Sequence, residues 1–331
     1  MTGDGNGAGA PDARASDARA SDARASGARV DRPVPRGGMP GRRRRSEETG
    51  ALVLIGGACT PSGEALGAFL DLCDGRDGGR IVAFTTASGD PVGSAHGWMR
   101  DFAAAGAHNV EIPLVDRRDR AQDERIAAMV REARGIFLGG GDQVHLVATL
   151  GGSRVGRAIR EAYSAGAVVG GTSAGAAALT ETILAGGEHE ELGEVTDMYM
   201  GPGFGLLGFR AVIDTHFAER RRLQRLFVAI AGNPELMGLG IDEDTAFVVR
   251  GHLGTVHGTG TVTFVDGRGV RFDNTNEVTR RGAGITLSYL RVGLIGPGYP
   301  FDLRERELEV LLQAREEEEP TPTIRGSEAG D

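Results

Sequence analysis

Short apolar segments that end in Gly or Ser alternate with segments of helical period from Ala51 onward. The apolar segments read ALVLIGGA, RIVAFTTAS, NVEIPLV, GIFLGGG and AVVGGTS, and the helical ones include GEALGAFLDLC, GWMRDFAAAG, RAQDERIAAMVREA and SRVGRAIREAYSAG. Strands without polar alternation, separated by helices, predict a parallel sheet with helices on both faces. Later segments, among them AVIDTHF and LGTVHGTGTVTFVD, predict added strands, some of them antiparallel. The expected fold class is therefore α/β, with a mixed, mostly parallel sheet.

The two ends of the chain have a different composition from this folded part. Residues 1–47 contain repeats of DARAS and almost no large apolar residue, so we expect a disordered, low-complexity tail. Residues 48–315 are expected to form one folded domain, and residues 316–331 a disordered acidic tail. Met39 offers an alternative start that would remove the repeats.

Charge and hydropathy exclude some classes of partner. The formal net charge of −9 over 331 residues makes nucleic acid an unexpected partner. No apolar run approaches the roughly 20 residues of a membrane span, so no membrane is expected either. The two cysteines, Cys59 and Cys73, are expected to be reduced core thiols of a cytoplasmic protein.

Three motifs follow apolar segments at the point where each predicted strand ends. They are FLGGGDQ (137–143), GGTSAG (170–175) and IDTHF (213–217). In open α/β sheets, ligands bind at the carboxyl ends of the strands. The motifs therefore predict one crevice to which all three contribute.

The second motif contains G-x-S-x-G between an apolar strand and a helix. Such a turn lifts the serine hydroxyl out of the sheet, which makes Ser173 a candidate nucleophile, and the N–H of Ala174 a candidate oxyanion donor. An anion-binding turn and a purely structural turn remain alternatives. A serine nucleophile needs a base, and His216, at the end of AVIDTHF, is the candidate. The backbone of Gly140 and Gly141 is a candidate second oxyanion donor.

The base should in turn be oriented by a carboxylate. The segment GGEHEELGEVTD between Ser173 and His216 contains Glu188, Glu190, Glu191, Glu194 and Asp197, and the residues alone do not choose among them.

Clustered charges flank the predicted crevice. Arg220, Arg221, Arg222 and Arg225 follow His216 at the predicted start of a helix, where cations gain nothing from the helix dipole. Their concentration predicts a site for a substrate carboxylate, which arginine binds in a bidentate manner. GIDEDTAF (240–247) places acidic residues at another strand end and suits either a cationic group or a capped turn.

Four motifs in this order resemble one family. GGDQ (140–143), GGTSAGA (170–176), D-x-H-F-x-x-R-x-R-x-x-R-L (214–226) and GIDEDTA (240–246) are similar to those of cyanophycinases, in the serine peptidase family that also contains aspartyl dipeptidase. The likeness runs from about Val53 to Leu303. It implies a flavodoxin-like sheet similar to that of class I glutamine amidotransferases, with serine at the elbow where those enzymes have cysteine.

The resemblance also implies an activity and its residues. A cyanophycinase is a serine exopeptidase that hydrolyses cyanophycin, multi-L-arginyl-poly-L-aspartate, to β-Asp-Arg dipeptides. Ser173 would be its nucleophile, His216 its base and Glu191 its acid, with Glu190 and Glu194 still open. The substrate-binding and supporting positions would be Gln143, Asp214, Thr215, Arg220, Arg222 and Arg225. No cofactor or metal is implied, and a homodimer is.

One position departs from the family pattern. Cyanophycinases have D-Q-H-F where this chain has DTHF, so Thr215 replaces a glutamine beside the expected base. This favours, as an alternative, a related peptidase for other Asp-containing or β-linked peptides. A non-catalytic binding protein on the same fold is the remaining alternative.

Overall fold

The computed structural model describes residues 49–186, 198–275 and 285–317. Within these ranges the helices are α1 (Glu64–Leu72), α2 (Pro91–Ala104), α3 (Glu124–Arg131), α4 (Gln143–Leu150), α5 (Arg154–Ser164), α6 (Ala174–Ala177), α7 (Leu223–Ala231) and α8 (Glu309–Glu317). The strands are β1 (Leu52–Ile55), β2 (Ile81–Phe84), β3 (Val110–Glu111), β4 (Gly135–Leu138), β5 (Val168–Thr172), β6 (Thr182–Gly186), β7 (Met198–Pro202), β8 (Ala211–Thr215), β9 (Met237–Ile241), β10 (Thr245–Arg250), β11 (Leu253–Gly258), β12 (Val262–Asp266), β13 (Phe272–Asp273), β14 (Leu287–Ser288), β15 (Arg291–Ile295), β16 (Phe301–Asp302) and β17 (Glu307–Leu308). Residues 1–47 lie outside the described ranges, so the expected tail and the domain boundaries stay predictions.

A nine-stranded sheet forms the centre of the described chain. The strand order is β17-β16-β11-β10-β1-β5-β4-β2-β3. The five neighbouring strands β1, β5, β4, β2 and β3 run parallel to one another. Beyond β1, the strands β10, β11, β16 and β17 extend the sheet, each antiparallel to its neighbour. Leu54 of β1 stands opposite Gly171 of β5. The α/β class and the mixed sheet are confirmed.

Helices cover both faces of this sheet, because neighbouring residues of a strand point to opposite sides. Leu52 and Leu54 of β1 belong to one apolar core, together with residues of α3 and α5. Val53 and Ile55 belong to a second core, with Phe69 of α1 and Phe102 of α2. The unbroken apolar segments in the sequence are thus strands that are buried on both faces.

A second sheet carries the histidine motif. Strands β15, β12, β9 and β8 form it, with β8 and β9 parallel. Ile213 of β8 and Leu239 of β9 share the first core, whereas α7 packs on the opposite face through Leu226 and Ile230. The sequence predicted these segments as strands of a single sheet. That interpretation is wrong in this respect, because apolar strand segments report burial and not which distant strand they pair with.

Two other elements differ from the sequence expectation. The helix expected over 219–232 begins only at Leu223, because His216 and Arg221 have positive φ values of 51° and 52°, which a right-handed helix excludes. The segment NVEIPLV forms only the short strand β3. Proline lacks the N–H that a strand needs, and Pro113 lies just beyond its end. No helix of the described ranges is both long and apolar enough to cross a bilayer.

Candidate active site

Ser173 occupies a strained turn between β5 and α6. Its backbone has φ 52° and ψ −119°, and its N–H donates to the carbonyl of Ile55 at 2.9 Å. Side chains would not fit around it: a Cβ on Gly171 would lie 2.4 Å from the backbone of Gly175, and a Cβ on Gly175 only 2.0 Å from the carbonyl oxygen of Leu138. The small residues therefore allow the backbone to pass close to itself and present the serine hydroxyl, as in a nucleophile elbow.

His216 follows β8 and lies against the serine. Its Nε2 is 2.9 Å from Oγ of Ser173. The backbone N–H of His216 donates to the carbonyl of Gly56 at 2.7 Å. The imidazole ring packs so closely on Gly57 that a Cβ on this glycine would lie 2.2 Å from Cε1 of the ring. The serine and the histidine, which the sequence predicted as partners, thus lie at hydrogen-bond distance. They follow strands of two different sheets.

Glu243 is the carboxylate beside the histidine. Its Oε1 lies 2.5 Å from Nδ1 of His216. The loop that carries it after β9 is fixed on both sides: Asp242 accepts from the N–H of Ala218 at 3.1 Å and from the N–H and hydroxyl of Thr261 at 2.9 Å. The N–H of Glu243 itself points to the carboxylate of Glu219 at 3.3 Å.

Glu243 was not predicted as the orienting group, because the predicted carboxylates lie between the serine and the histidine in the chain. Glu243 belongs to the motif GIDEDTAF, which was predicted only to place acidic residues at a strand end. The five predicted carboxylates, Glu188, Glu190, Glu191, Glu194 and Asp197, lie outside the described residues.

Gly140 and Gly141 follow β4 and line the crevice next to the serine. A Cβ on Gly140 would lie 3.2 Å from Cβ of Ser173. Gly141 has φ +137°, and a Cβ there would lie 2.0 Å from the carbonyl oxygen of Ala87. The positive φ and the contact with Ala87 require glycine at position 141, and the missing side chain of Gly140 leaves room beside Ser173. Ala174, the third predicted oxyanion residue, is the first residue of α6.

Two cavities meet at the serine and the histidine. One, of about 440 Å³, extends towards Cys59, Trp98 and Asp101. The other, of about 410 Å³, contains all six predicted substrate-binding residues: Gln143, Asp214, Thr215, Arg220, Arg222 and Arg225. Arg220 lines both cavities, whereas Arg221 is exposed and lines neither. A substrate held across Ser173 would extend into both cavities.

A buried carboxylate organises the arginines of the second cavity. Asp214 is only 2% exposed; Nη1 of Arg222 donates to its Oδ1 at 3.0 Å and to the carbonyl of Thr215 at 2.8 Å. Nε of Arg225 lies 3.3 Å from Oδ2 of Asp214 without the alignment of a hydrogen bond, so this contact is mainly one between charges. Burial raises the pKa of Asp214, and the charges of Arg225 and Arg222 oppose that rise.

Gln143 also lines this cavity. Its amide Nε2 donates to the carbonyl of Leu184 at 2.8 Å, which connects the start of α4 to β6. Over the described ranges, no group of three or more His, Cys, Asp or Glu side chains is placed to hold a metal ion.

Comparison with known proteins identifies the family of this chain. Residues 52–256 match the family described as Peptidase family S51. The chain belongs to this family. As an S51 member it is a serine peptidase, a hydrolase of peptide bonds.

Curated relatives of this S51 peptidase include three cyanophycinases. That of Geminocystis herdmanii (strain PCC 6308) is 33% identical over 68% of this chain and 83% of its own length. That of Trichormus variabilis (strain ATCC 29413 / PCC 7937) is 34% identical over 68% and 76%. That of Synechococcus elongatus is 32% identical over 80% and 83%.

A solved structure supports the fold. The crystal structure of a peptidase from an acI-B1 Actinobacterium superimposes with a TM-score of 0.59, at 19% identity, over 77% of this S51 chain and 97% of the other. At that identity the likeness concerns the fold alone.

Proposed function

We propose that this peptidase hydrolyses cyanophycin to β-Asp-Arg dipeptides through a Ser173–His216–Glu243 acyl-enzyme mechanism. The observation that carries the proposal is the continuous contact from Glu243 through His216 to Ser173, with separations of 2.5 Å and 2.9 Å. The substrate is inferred from the cyanophycinases that match the chain at 32–34% identity.

The contacts define a role for each group of the triad. Nε2 of His216 accepts the hydroxyl proton while Oγ of Ser173 attacks the scissile carbonyl, and Glu243 stabilises the imidazolium that forms. The histidine then returns the proton to the leaving amine, and water hydrolyses the acyl-enzyme by the same route in reverse. This assignment gives Glu243 the role that the family resemblance suggested for Glu191.

The developing oxyanion needs hydrogen-bond donors beside the serine. We assign this role to the backbone N–H groups of Ala174 and of the Gly140–Gly141 turn. Their position around Oγ of Ser173 supports the assignment, since preorganised backbone donors stabilise tetrahedral intermediates. The glycines permit that close approach, as their missing side chains would otherwise meet Ser173 and Ala87.

The cavity lined by Arg220, Arg222 and Arg225 is suited to the free carboxylates of cyanophycin, which are the α-carboxylates of its arginines and the carboxyl terminus of its backbone. Arg222 and Arg225 are already held by Asp214, which fixes their direction before substrate arrives. Arginine bound in this way is preorganised for carboxylate recognition.

Thr215 favours a second class of substrate. It is 5% exposed and lines the arginine-lined cavity where the family pattern has a longer amide side chain. A related specificity, for other Asp-containing or β-linked peptides, would use the same triad.

The decisive experiment incubates the purified protein with cyanophycin and, separately, with α-Asp dipeptides, and identifies the products by mass spectrometry. β-Asp-Arg from cyanophycin, absent with Ser173→Ala, is the expected result. Hydrolysis of the α-Asp dipeptides alone would favour the related specificity, and turnover of neither would contradict both specificities. The proposal extends to a cytoplasmic homodimer; light scattering tests the dimer, and cell fractionation tests the location.

A further inference from the structure

The cavity that extends away from the arginines has an acidic and aromatic end. Trp98 and Asp101 lie on successive turns of α2 and line this cavity together with Cys59. The Trp98 ring packs against Phe137 with ring centroids 4.7 Å apart and tilted by 61°, which fixes it in place while the residue stays half-buried. The result is an aromatic surface and a carboxylate in one pocket.

Among the described residues, the carboxylate of this pocket has no cationic partner. Asp101 is half-buried, and within residues 49–186, 198–275 and 285–317 no cation is paired with it. A carboxylate that is partly removed from water is stabilised by a cation more strongly than an exposed one. The raised pKa of the neighbouring Cys59 thiol, about 12, agrees with this: burial is the main cause, followed by the negative charges of Asp244 and Asp101.

The pocket contrasts in charge with the cavity on the other side of Ser173. Arg222 and Arg225 line that other cavity, whereas Arg220 lies where the two cavities meet. The positive charge of Arg220 favours a cation at the far end of the pocket, near Trp98 and Asp101. Guanidinium groups suit this end, because they stack on aromatic faces and donate several hydrogen bonds in one plane.

We propose that the pocket of Trp98 and Asp101 binds a guanidinium side chain of the substrate residue next to the scissile bond. The inference rests on the proposed function in that it concerns the same substrate. It adds a specificity-determining residue, Asp101, on the side of Ser173 opposite the arginines. A neutral side chain of equal size would fill the pocket but leave Asp101 without a cation.

Binding to an inactive enzyme tests this without requiring turnover. In Ser173→Ala protein, calorimetry compares an oligomer of three β-Asp-Arg units with its citrulline counterpart, in which a neutral ureido group replaces each guanidinium. We expect the arginine oligomer to bind about 10- to 100-fold more tightly, as for hydrogen bonds to a charged group. Asp101→Asn should remove most of that preference and leave citrulline binding unchanged, while Asp101→Glu should retain part of it.

Asp116→Asn is the matched control, because it removes the same charge from an exposed carboxylate that lines neither active-site cavity. Its preference for arginine should equal that of the parent. Equal affinity for both oligomers, absence of binding to either, or an equal loss for both on Asp101→Asn would overturn the inference. Failure of the active enzyme to cleave the arginine oligomer, despite a preference that depends on Asp101, would instead contradict the proposed function.

Discussion

Oε1 of Glu243 lies 2.5 Å from Nδ1 of His216, although the two residues are 27 positions apart in the chain and on different loops. The contact occupies one ring nitrogen and leaves Nε2 directed at Ser173. A carboxylate in this place selects the tautomer with its proton on Nδ1, so that Nε2 is free to accept the serine proton. In the proposed mechanism, Nε2 is therefore the nitrogen that acts as the base.

Glu243→Gln should therefore lower kcat by roughly 10³- to 10⁴-fold with little change in Tm, since an amide can select the wrong tautomer and carries no charge. Steady-state kinetics on a soluble β-Asp-Arg oligomer measures this. Asp244→Asn is the control, because that neighbouring carboxylate accepts from Thr60 and not from the histidine. If Glu191→Gln proves severe and Glu243→Gln mild, the family-based assignment is right and the one made here is wrong.

Local patterns predicted that the serine and the histidine would lie together, and the structure places Nε2 of His216 2.9 Å from Oγ of Ser173. Ser173 was recognisable because G-x-S-x-G requires a strand before it and a helix after it, and both are readable from nearby residues. Glu243 was harder, because a carboxylate at the end of β9 looks the same whether it caps a turn or faces a ring. Its contact with His216 depends on the pairing of β8 with β9, and strand pairing is a long-range property that no local pattern encodes.

The same reason explains the second sheet. Strands β8, β9 and β12 show ordinary apolar strand segments, and their separation from the central sheet follows from how their faces pack on the shared core. The arginine turn was also beyond local prediction. No residue pattern in ERRRLQRL predicts the positive φ of Arg221, and because of this φ the helix begins only at Leu223.

Gly57 should be essential for activity but not for folding. Its φ is +122°, and a Cβ there would lie 2.2 Å from Cε1 of His216. Gly57→Ala must displace the imidazole, and a shift of about 1 Å in a catalytic group costs roughly 10²-fold in rate. Gly78→Ala is the matched control, with φ +88° and nothing within 4 Å of the new methyl group. Comparable losses of kcat/KM in both variants would mean that backbone strain, and not the ring contact, is responsible.

The two cysteines should resist alkylation in the native protein. Burial is the largest cause that raises the pKa of each thiol to about 12. At pH 8 such a thiol is about one part in 10⁴ thiolate, against about one in ten at the ordinary pKa near 9, and the thiolate is the reactive form. Native enzyme treated with iodoacetamide at pH 8 should therefore keep both free thiols and its activity, whereas urea-unfolded protein should lose both thiols within the same time. Rapid labelling of Cys59 in the native state would contradict the raised pKa.

The raised thiol pKa values also predict how stability depends on pH. Between pH 9 and about 12 the unfolded chain loses the thiol protons that the folded chain retains, so the unfolded state binds fewer protons and the free energy of unfolding falls as pH rises. Cys73→Ala should reduce that slope, and urea titrations at several pH values between 8 and 11 measure it. An unchanged slope in Cys73→Ala would show that this thiol ionises alike in both states.

Arg225 should support both substrate binding and the stability of the fold, whereas the neighbouring Arg221 should support neither. Arg225 and Asp214 are 6% and 2% exposed, so Arg225→Met leaves a buried carboxylate with only Arg222 beside it. Removing one member of a buried ion pair costs about 3–5 kcal/mol, and urea unfolding should show a loss of that order. Adding Asp214→Asn should recover part of it, because the neutral amide no longer needs the second cation. The double variant should stay impaired in kcat/KM by about one to two decades, as the substrate carboxylate has lost its arginine.

Arg221→Met should match the parent both in kcat/KM and in the free energy of unfolding, since Arg221 is exposed and lines neither cavity. If Arg221→Met loses as much kcat/KM as Arg220→Met and Arg222→Met, the arginines act as a general positive surface and not as individually placed ligands.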